Sequence, residues 1–260
     1  IKLNKFKAFS EICESIVRVM KRLEKIMEYT DLSSAEEIET EGNFSDFDFE
    51  CFEEFYRKYY GEEIKSHHNS RLKLLRNLNL MKNKNLTLAG LLLFGRRVES
   101  IRPQFIIRAT CFETDEFLIH RYLDSEEITG KLIEQFHGGV NFIKRNARFT
   151  INEAIYREAL FYAIIHRDYL INNSIFIYIF NNRIEIISPG ILPFSEVAIH
   201  CKRNPFIMSF LEKEINCTSI DMLRNINGII KACKENNIKV DFINDKINME
   251  AKVVFYGPGL

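Results

Sequence analysis

The stretch EALFYAIIHRDY, residues 158–169, begins as an apolar helix and ends in groups that can carry protons or charge. The apolar spacing predicts a helix that ends near the polar cluster His166, Arg167, Asp168 and Tyr169. Such a cluster can contact a nucleotide phosphate. It can equally cap the last carbonyls of a core helix and form ion pairs there. The rest of the sequence is needed to choose between a phosphate contact and a structural cap.

Helical and strand patterns alternate on both sides of this stretch. Helices are predicted at 16–29, 49–60, 71–81, 127–146, 152–166, 204–215 and 220–237. Strands are predicted at 104–113 and 116–124, in a hairpin around Asn181–Asn182, and at 249–257. Helices mixed with antiparallel hairpins predict an α+β fold.

Composition and charge narrow the classes of function. The 260 residues are 46% hydrophobic, and 36 Lys and Arg balance 36 Asp and Glu, so the formal net charge is zero. A neutral chain has no global field that attracts nucleic acid, so DNA binding would need a local basic patch. The candidate patch is Lys202, Arg203, Arg224, Lys231 and Lys234, and the alternative is ordinary solvated surface.

Cysteine usage and hydropathy point to a cytoplasmic protein without a metal site. The six cysteines are scattered and form no CxxC pair, so no zinc site is expected. Dispersed thiols without a secretory signal fit a reducing compartment. Apolar runs are too short to cross a bilayer, so no membrane partner is expected. The sequence begins with Ile1 rather than Met, which suggests the inside of a longer product.

Five stretches in a fixed order carry a family resemblance. They are LKLLRNLNLMKNKNLTLAGLLLFG (72–95), REALFYAIIHRDY (157–169), NRIEIISPGILP (182–193), RNPFIM (203–208) and IIKACKEN (229–236). Together they resemble the core of RecG-like transcriptional regulators, which are also described as ATP-dependent DNA helicase-related proteins. In that family a Schlafen-type AlbA domain precedes a linker region. A domain similar to the ATPase fold of gyrase, heat-shock chaperones, histidine kinases and MutL (GHKL) follows, and many members end in a winged helix.

The resemblance implies a domain plan. Residues 1–40 would be a remnant of the N-terminal domain and a connector, and 41–150 a helical and β-hairpin linker region. Residues 151–260 would be a degenerate GHKL-like α/β sandwich with an antiparallel sheet. Most of the AlbA-type domain and the winged helix are expected to be missing. Contacts with DNA would then lie mainly in parts that this chain lacks.

The resemblance also assigns the chemistry of the site. In the family fold a helical Glu is the general base for hydrolysis, and an Asn four residues later holds Mg²⁺. Here the Glu is Glu158, but the Asn position is Tyr162, and a phenol is a poor magnesium ligand at neutral pH. The turn that carries an adenine-binding Asp reads Ser188-Pro189-Gly190-Ile191, and a Gly-Thr-Gly turn is replaced by Leu223-Arg224-Asn225. ATP hydrolysis is therefore not expected.

Several residues remain candidates for contact with a nucleotide, with ATP and Mg²⁺ as the cofactors in that case. They are Tyr162, His166, Arg167, Asp168, Ser188 and Gly190. The structural alternative is that the His-Arg-Asp-Tyr cluster fastens the helix end to the Ser-Pro-Gly turn. For Glu158 the alternative is an ion pair with Arg157 or a nearby Lys.

Three hypotheses on function follow. The first is a regulator with a degenerate nucleotide fold that acts by binding DNA or a protein partner. The second is an ATP-binding or ATP-hydrolysing member with Glu158 as general base. The third is a structural module that forms homo-oligomers through the aromatic face of 49–60 or an exposed edge strand.

Overall fold

The computed structural model describes residues 35–64, 68–118, 120–191, 203–215 and 226–258. The basic helix predicted at 16–29 lies outside these residues. So do Lys202 and the Leu223-Arg224-Asn225 turn of the sequence analysis.

The first half of the described chain is a helical layer around a small antiparallel sheet of order β1-β3-β2. The layer opens with 3-10 helices at Ala35–Glu37 and Phe44–Asp46. Its helices are α1 (Phe49–Tyr60), α2 (His68–Asn77), α3 (Leu88–Phe94) and α4 (Val98–Ile101), and its strands are β1 (Glu39–Asn43), β2 (Met81–Lys82) and β3 (Asn85–Thr87). Local signals in the sequence position these elements. For example, the Thr87 hydroxyl accepts a hydrogen bond from the Gly90 amide at 3.1 Å and caps the start of α3.

The second half contains a six-stranded sheet of order β5-β4-β6-β7-β9-β8. Its strands are β4 (Ile107–Phe112), β5 (Tyr122–Ile128), β6 (Ile175–Ile179), β7 (Arg183–Pro189), β8 (Lys239–Asp245) and β9 (Glu250–Tyr256). Its helices are α5 (Leu132–Asn146), α6 (Glu153–His166), α7 (Pro205–Glu214) and α8 (Ile226–Glu235). The α+β class predicted from sequence is confirmed.

The antiparallel pairing predicted for residues 151–260 is found for β6 to β9, but the six-stranded sheet as a whole is mixed. Strand β6 pairs in parallel with β4, whereas the other neighbours are antiparallel. The reason is the crossover through α5 and α6, which returns the chain to the far side of β4. The sheet takes β4 and β5 from the predicted linker region and β6 to β9 from the predicted ATPase-like domain.

Helices α5 and α6 pack on one face of this sheet. Gly139 of α5 lies so close to α6 and the strands that an added Cβ would be 2.6 Å from Leu160 and 3.2 Å from Ile177. The glycine therefore lets the helix approach the core, and α5 stays continuous through it. Leu160 and Ile177 are fully buried there.

One strand was placed wrongly in the sequence, and β1, β2, β3 and β8 were not predicted. The run 116–124 was predicted as a strand, but β5 begins only at Tyr122 and continues through charged residues to Ile128. It is an edge strand whose side chains are largely exposed, so its acidic composition gave no apolar alternation. Strand β8, on the opposite edge, was missed although Val240 and Phe242, which pack against the core, alternate with Lys239 and Asp241.

The aromatic face of α1 is part of the core. Phe52 and Phe55 are almost fully buried, and Phe55 stacks on Phe210 of α7 with ring centroids 4.9 Å apart. Phe94 of α3 meets both Phe55 and Phe210 edge-on. The chain itself covers the Phe side chains of this face, whereas Tyr60 at its end is 44% exposed, so pairing with another copy stays a prediction.

Candidate functional site

Helix α6 carries the predicted site, and its sequence explains its position. Asn152 caps its start, since the side-chain oxygen accepts from the Ala154 amide at 3.0 Å. Every residue from Ile155 to Ile165 except Arg157 is buried, so the helix lies inside the protein. Its polar residues must therefore be satisfied within the fold.

Glu158, Tyr162 and His166 follow one another at intervals of four residues, which places them on one face of α6. Glu158 is 5% exposed. Arg157 forms an ion pair with Glu153 at 3.6 Å, one turn earlier. We call Glu158, Tyr162 and His166 the α6 column. It contains one carboxylate, one phenol and one imidazole.

The phenol of Tyr162 occupies the centre of the column. Its ring lies 4.1 Å from the ring of His166, and Ala251 of β9 and Ile226 of α8 pack against it. Burial raises the pKa of Tyr162 to about 12. The phenol is thus protonated at neutral pH and offers a hydroxyl, not a phenolate, to any ligand.

His166 is a neutral imidazole at physiological pH. Burial, with a smaller contribution from the Arg203 guanidinium, lowers its pKa to about 4. Its Nδ1 atom is buried and has no hydrogen-bond partner among the residues that the structure describes. This atom is the clearest unsatisfied polar group on the column.

Arg167 is turned into the protein rather than towards the column. It is 2% exposed and donates to the backbone carbonyls of Ile171 and Asn173. Its guanidinium lies 4.6 Å from the ring of Phe105 and 5.1 Å from that of Tyr169. Burial lowers its pKa to about 10, so it stays charged at pH 7. It organises the turn after α6.

The predicted contact between the His-Arg-Asp-Tyr cluster and the Ser-Pro-Gly turn is present. The Asp168 amide donates to the Pro189 carbonyl at 2.8 Å, and the buried Ser188 hydroxyl donates to the Ala163 carbonyl at 2.8 Å. Gly190 has φ +101°, and its amide donates to the Met249 carbonyl at 2.7 Å. A Cβ on Gly190 would lie 2.7 Å from that of Asp168. These bonds join α6, β7 and β9.

Residues just before α7 complete this junction and were not singled out for it in the sequence. Asn204 is 1% exposed and donates to the carbonyls of Ile165 and Arg167, each at 2.9 Å. Arg203 donates to the His166 carbonyl at 3.1 Å and to the Ile191 carbonyl at 3.3 Å. These side chains satisfy carbonyls at the end of α6. The RNP sequence before a predicted helix was the available signal.

Glu36 is a second residue that sequence reasoning missed. It is 2% exposed, and its carboxylate accepts from the amides of Phe206 and Ile207 at 3.0 and 2.8 Å. A carboxylate from the start of the described chain thus caps α7, some 170 residues later. No local pattern can reveal a contact of this sequence separation.

Two residues of the predicted basic patch have contacts within the chain. The Arg203 guanidinium donates to the His166 carbonyl, and Lys231 of α8 pairs with Glu235 at 4.0 Å. Within the described ranges, no group of three or more His, Cys, Asp or Glu is arranged to hold a metal ion. No described helix is both long and apolar enough to cross a membrane.

The fold and site together define an α+β protein in which a mixed sheet supports a buried helix whose polar face carries a glutamate, a tyrosine and a histidine. No family model and no curated protein sequence matches the chain. Among solved structures, the DIP2311 protein from Corynebacterium diphtheriae is similar, with a TM-score of 0.60 over 86% of this chain and 16% sequence identity. The present chain covers 40% of the length of the DIP2311 protein. At 16% sequence identity, the similarity describes the fold alone.

Proposed function

We propose that this chain is the scaffold part of a RecG-like transcriptional regulator. In this proposal it acts by binding DNA or a protein partner, and its GHKL-like ATPase fold is degenerate. The order of the five resembling stretches supports the family assignment. A helix on a mixed sheet, joined to a Ser-Pro-Gly turn, is compatible with a nucleotide-binding ancestor.

The observation that carries the proposal is Tyr162. Magnesium needs oxygen ligands that are ionised or strongly polar, and it neutralises phosphate charge during hydrolysis. A phenol with a pKa of about 12, packed against His166 and Ala251, meets neither need. In the family, the residue four positions after the general base is the Asn that holds magnesium. Here that residue is Tyr162, so Glu158 has no metal ligand at that position.

The neighbouring turn supports the same conclusion. Ser188 and Gly190 direct their hydrogen bonds to Ala163 and Met249 inside the protein. Asp168 caps the Leu170 amide at 3.0 Å, and its own amide donates to Pro189. These groups stabilise the junction of helix and sheet, which is a structural role.

Calorimetric titration with ATP and Mg²⁺ tests the loss of hydrolysis. We expect no magnesium-dependent heat at millimolar ATP and no phosphate release above buffer. Glu158→Gln is the matched control, since it removes the only family carboxylate on the column. Turnover that is present in the wild type and absent in Glu158→Gln would contradict the proposal.

A mobility-shift titration tests the mode of regulation. If basic contacts carry DNA binding, the affinity falls steeply as salt rises. A shift at low salt with such a slope supports DNA as the partner of this chain. If no shift occurs at low salt, DNA is excluded as the partner of this chain, and the proposal then requires a protein partner.

One observation favours nucleotide binding without turnover as a second candidate. The buried Nδ1 atom of His166 has no partner in the described part of the chain, and its neutral ring could accept or donate one hydrogen bond. Titration of ATP in EDTA tests this candidate. Binding of ATP by the wild type in EDTA that is lost in His166→Phe supports this candidate. If neither protein binds ATP in EDTA, the candidate is excluded.

A further inference from the structure

A cavity of about 240 Å³ lies where α1, α3, α5 and α7 meet. None of the candidate nucleotide residues lines it. Its apolar walls are formed by Phe55, Leu93, Phe94, Ile133, Phe210 and Leu211. The cavity therefore lies between α1 and α3 of the helical layer and helices α5 and α7, away from the α6 column.

The volume sets the size of a ligand. Apolar cavities of roughly 150 Å³ bind benzene, and sites for drug-sized ligands begin at roughly 300 Å³. A cavity of about 240 Å³ therefore fits one aromatic ring with a short substituent.

The walls are built from ordered aromatic rings. Phe55 and Phe210 are nearly parallel, with an angle of 19° between their planes, and Phe94 meets both edge-on at 5.6 and 5.7 Å. A flat guest can add another offset or edge-on ring contact to this group.

Hydrogen bonds keep α1 and α7 at a fixed separation. The Tyr59 hydroxyl donates to the Lys213 carbonyl at 2.6 Å, and the Lys213 ammonium donates to the Tyr60 hydroxyl at 2.8 Å. Collapse of the cavity would break these contacts. The space is therefore part of the folded shape.

The polar groups at the cavity are mostly acidic. Glu54 and Glu214 line it, and Lys58 pairs with Glu214 at 3.7 Å. Next to the lining residue Cys51, Lys131 bridges Asp48 and Glu134, each at 3.2 Å. Arg96 also pairs with Asp48 at 3.7 Å, so four carboxylates face two ammonium groups and one guanidinium, and the net charge of −1 favours a cation.

The thiol in the wall is not a competing reactive group. Burial raises the pKa of Cys51, and the nearby carboxylates act in the same direction, so the group is a neutral thiol at pH 7. A neutral thiol packs as a small apolar side chain.

We propose that this cavity binds a small aromatic amine. Its ring lies against Phe55 and Phe210, and its ammonium group lies at the mouth between Glu54 and Glu214. An ammonium group that donates to a carboxylate forms a charge-assisted hydrogen bond, which is stronger than the bond from a neutral donor.

Three aromatic probes of similar size test the charge requirement by protein-observed NMR titration: benzylamine, benzyl alcohol and benzoate. We expect benzylamine to bind about tenfold tighter than benzyl alcohol, and benzoate to bind weaker than both, because one charge-assisted contact changes affinity by about that factor. Equal affinities, or no binding of benzylamine, would overturn the proposal.

Two variants locate the binding. Glu54→Gln changes an exposed residue and should remove most of the preference for benzylamine, while Glu50→Gln, an exposed carboxylate on the same helix outside the cavity, should leave it intact. Leu211→Trp fills the cavity and should abolish binding of benzylamine. If the preference survives Glu54→Gln, or if a folded Leu211→Trp protein still binds benzylamine, the proposal is wrong. Since Glu54 is exposed, its variant should fold and so tests the proposal even where Leu211→Trp does not fold.

Discussion

At the scale of single residues, Gly190 and Gly61 form a matched pair. Both have positive φ, at +101° and +69°, but only Gly190 faces a close neighbour, whereas Gly61 has open space around its Cα. We expect Gly61→Ala to lower the free energy of unfolding by about 1 kcal/mol through backbone strain alone. Gly190→Ala should cost clearly more, about 3 kcal/mol, because strain and a clash with Asp168 add. Urea unfolding measures both, and equal losses would contradict the close packing at Gly190.

His166 gives a prediction on pH. Its folded pKa of about 4 lies below the ordinary value of 6.5, so the unfolded chain binds more protons between these values. Stability from this group is therefore full above pH 6.5 and is lost as the pH falls towards 4, by up to about 3 kcal/mol. His166→Gln should flatten the pH dependence of the unfolding free energy in that window, and His120→Gln, at an exposed position, should not. An unchanged slope in His166→Gln would show that the imidazole is charged or solvated in the folded protein.

At the scale of elements, the buried carboxylate of Glu36 caps helix α7 from the start of the described chain. Glu36→Gln keeps the shape of the side chain but removes the charge that two helix amides share. We expect a loss of about 2 kcal/mol in the free energy of unfolding, since charged hydrogen bonds at a helix start are among the stronger ones. Glu37→Gln changes an exposed neighbour and should have little effect. Equal stability of the two variants would argue against the cap.

The same elements show what a sequence can predict. Helices α1 and α6 and the β6–β7 hairpin followed from local signals, namely the apolar spacing of 49–60 and 152–166 and the turn at Asn181–Asn182. Strand β5 did not, because an exposed edge strand of largely charged residues lacks apolar alternation. Strand β8 was missed although Val240 and Phe242 alternate with Lys239 and Asp241. Within the site, the tie between Asp168 and the turn at Ser188 was predicted, since neighbouring motifs imply it. The caps from Asn204 and Glu36 were not, because they join segments that are distant in sequence.

At the scale of the whole molecule, the six-stranded sheet joins both sides of residue 150. Strand β6 relies on β4 for its parallel partner, and α6 relies on α5 for cover, as the close approach of Gly139 to Leu160 shows. A fragment of residues 151–260 would expose the β6 edge and one side of α6. An unpaired central strand with apolar faces is prone to aggregation.

We therefore expect the fragment 151–260 not to fold on its own, although the sequence predicts a domain with these bounds. The fragment should lack dispersed NMR signals and a cooperative urea transition, while a fragment of 103–260, which restores β4, β5 and α5, should recover much of both. Recovery in the longer fragment would place the folding unit across residue 150, because the added segments supply the partner of β6 and the cover of α6. Cooperative unfolding of 151–260 alone would instead show that β6 to β9 and α6 form a self-sufficient core, and β4 and β5 would then be an extension of that sheet.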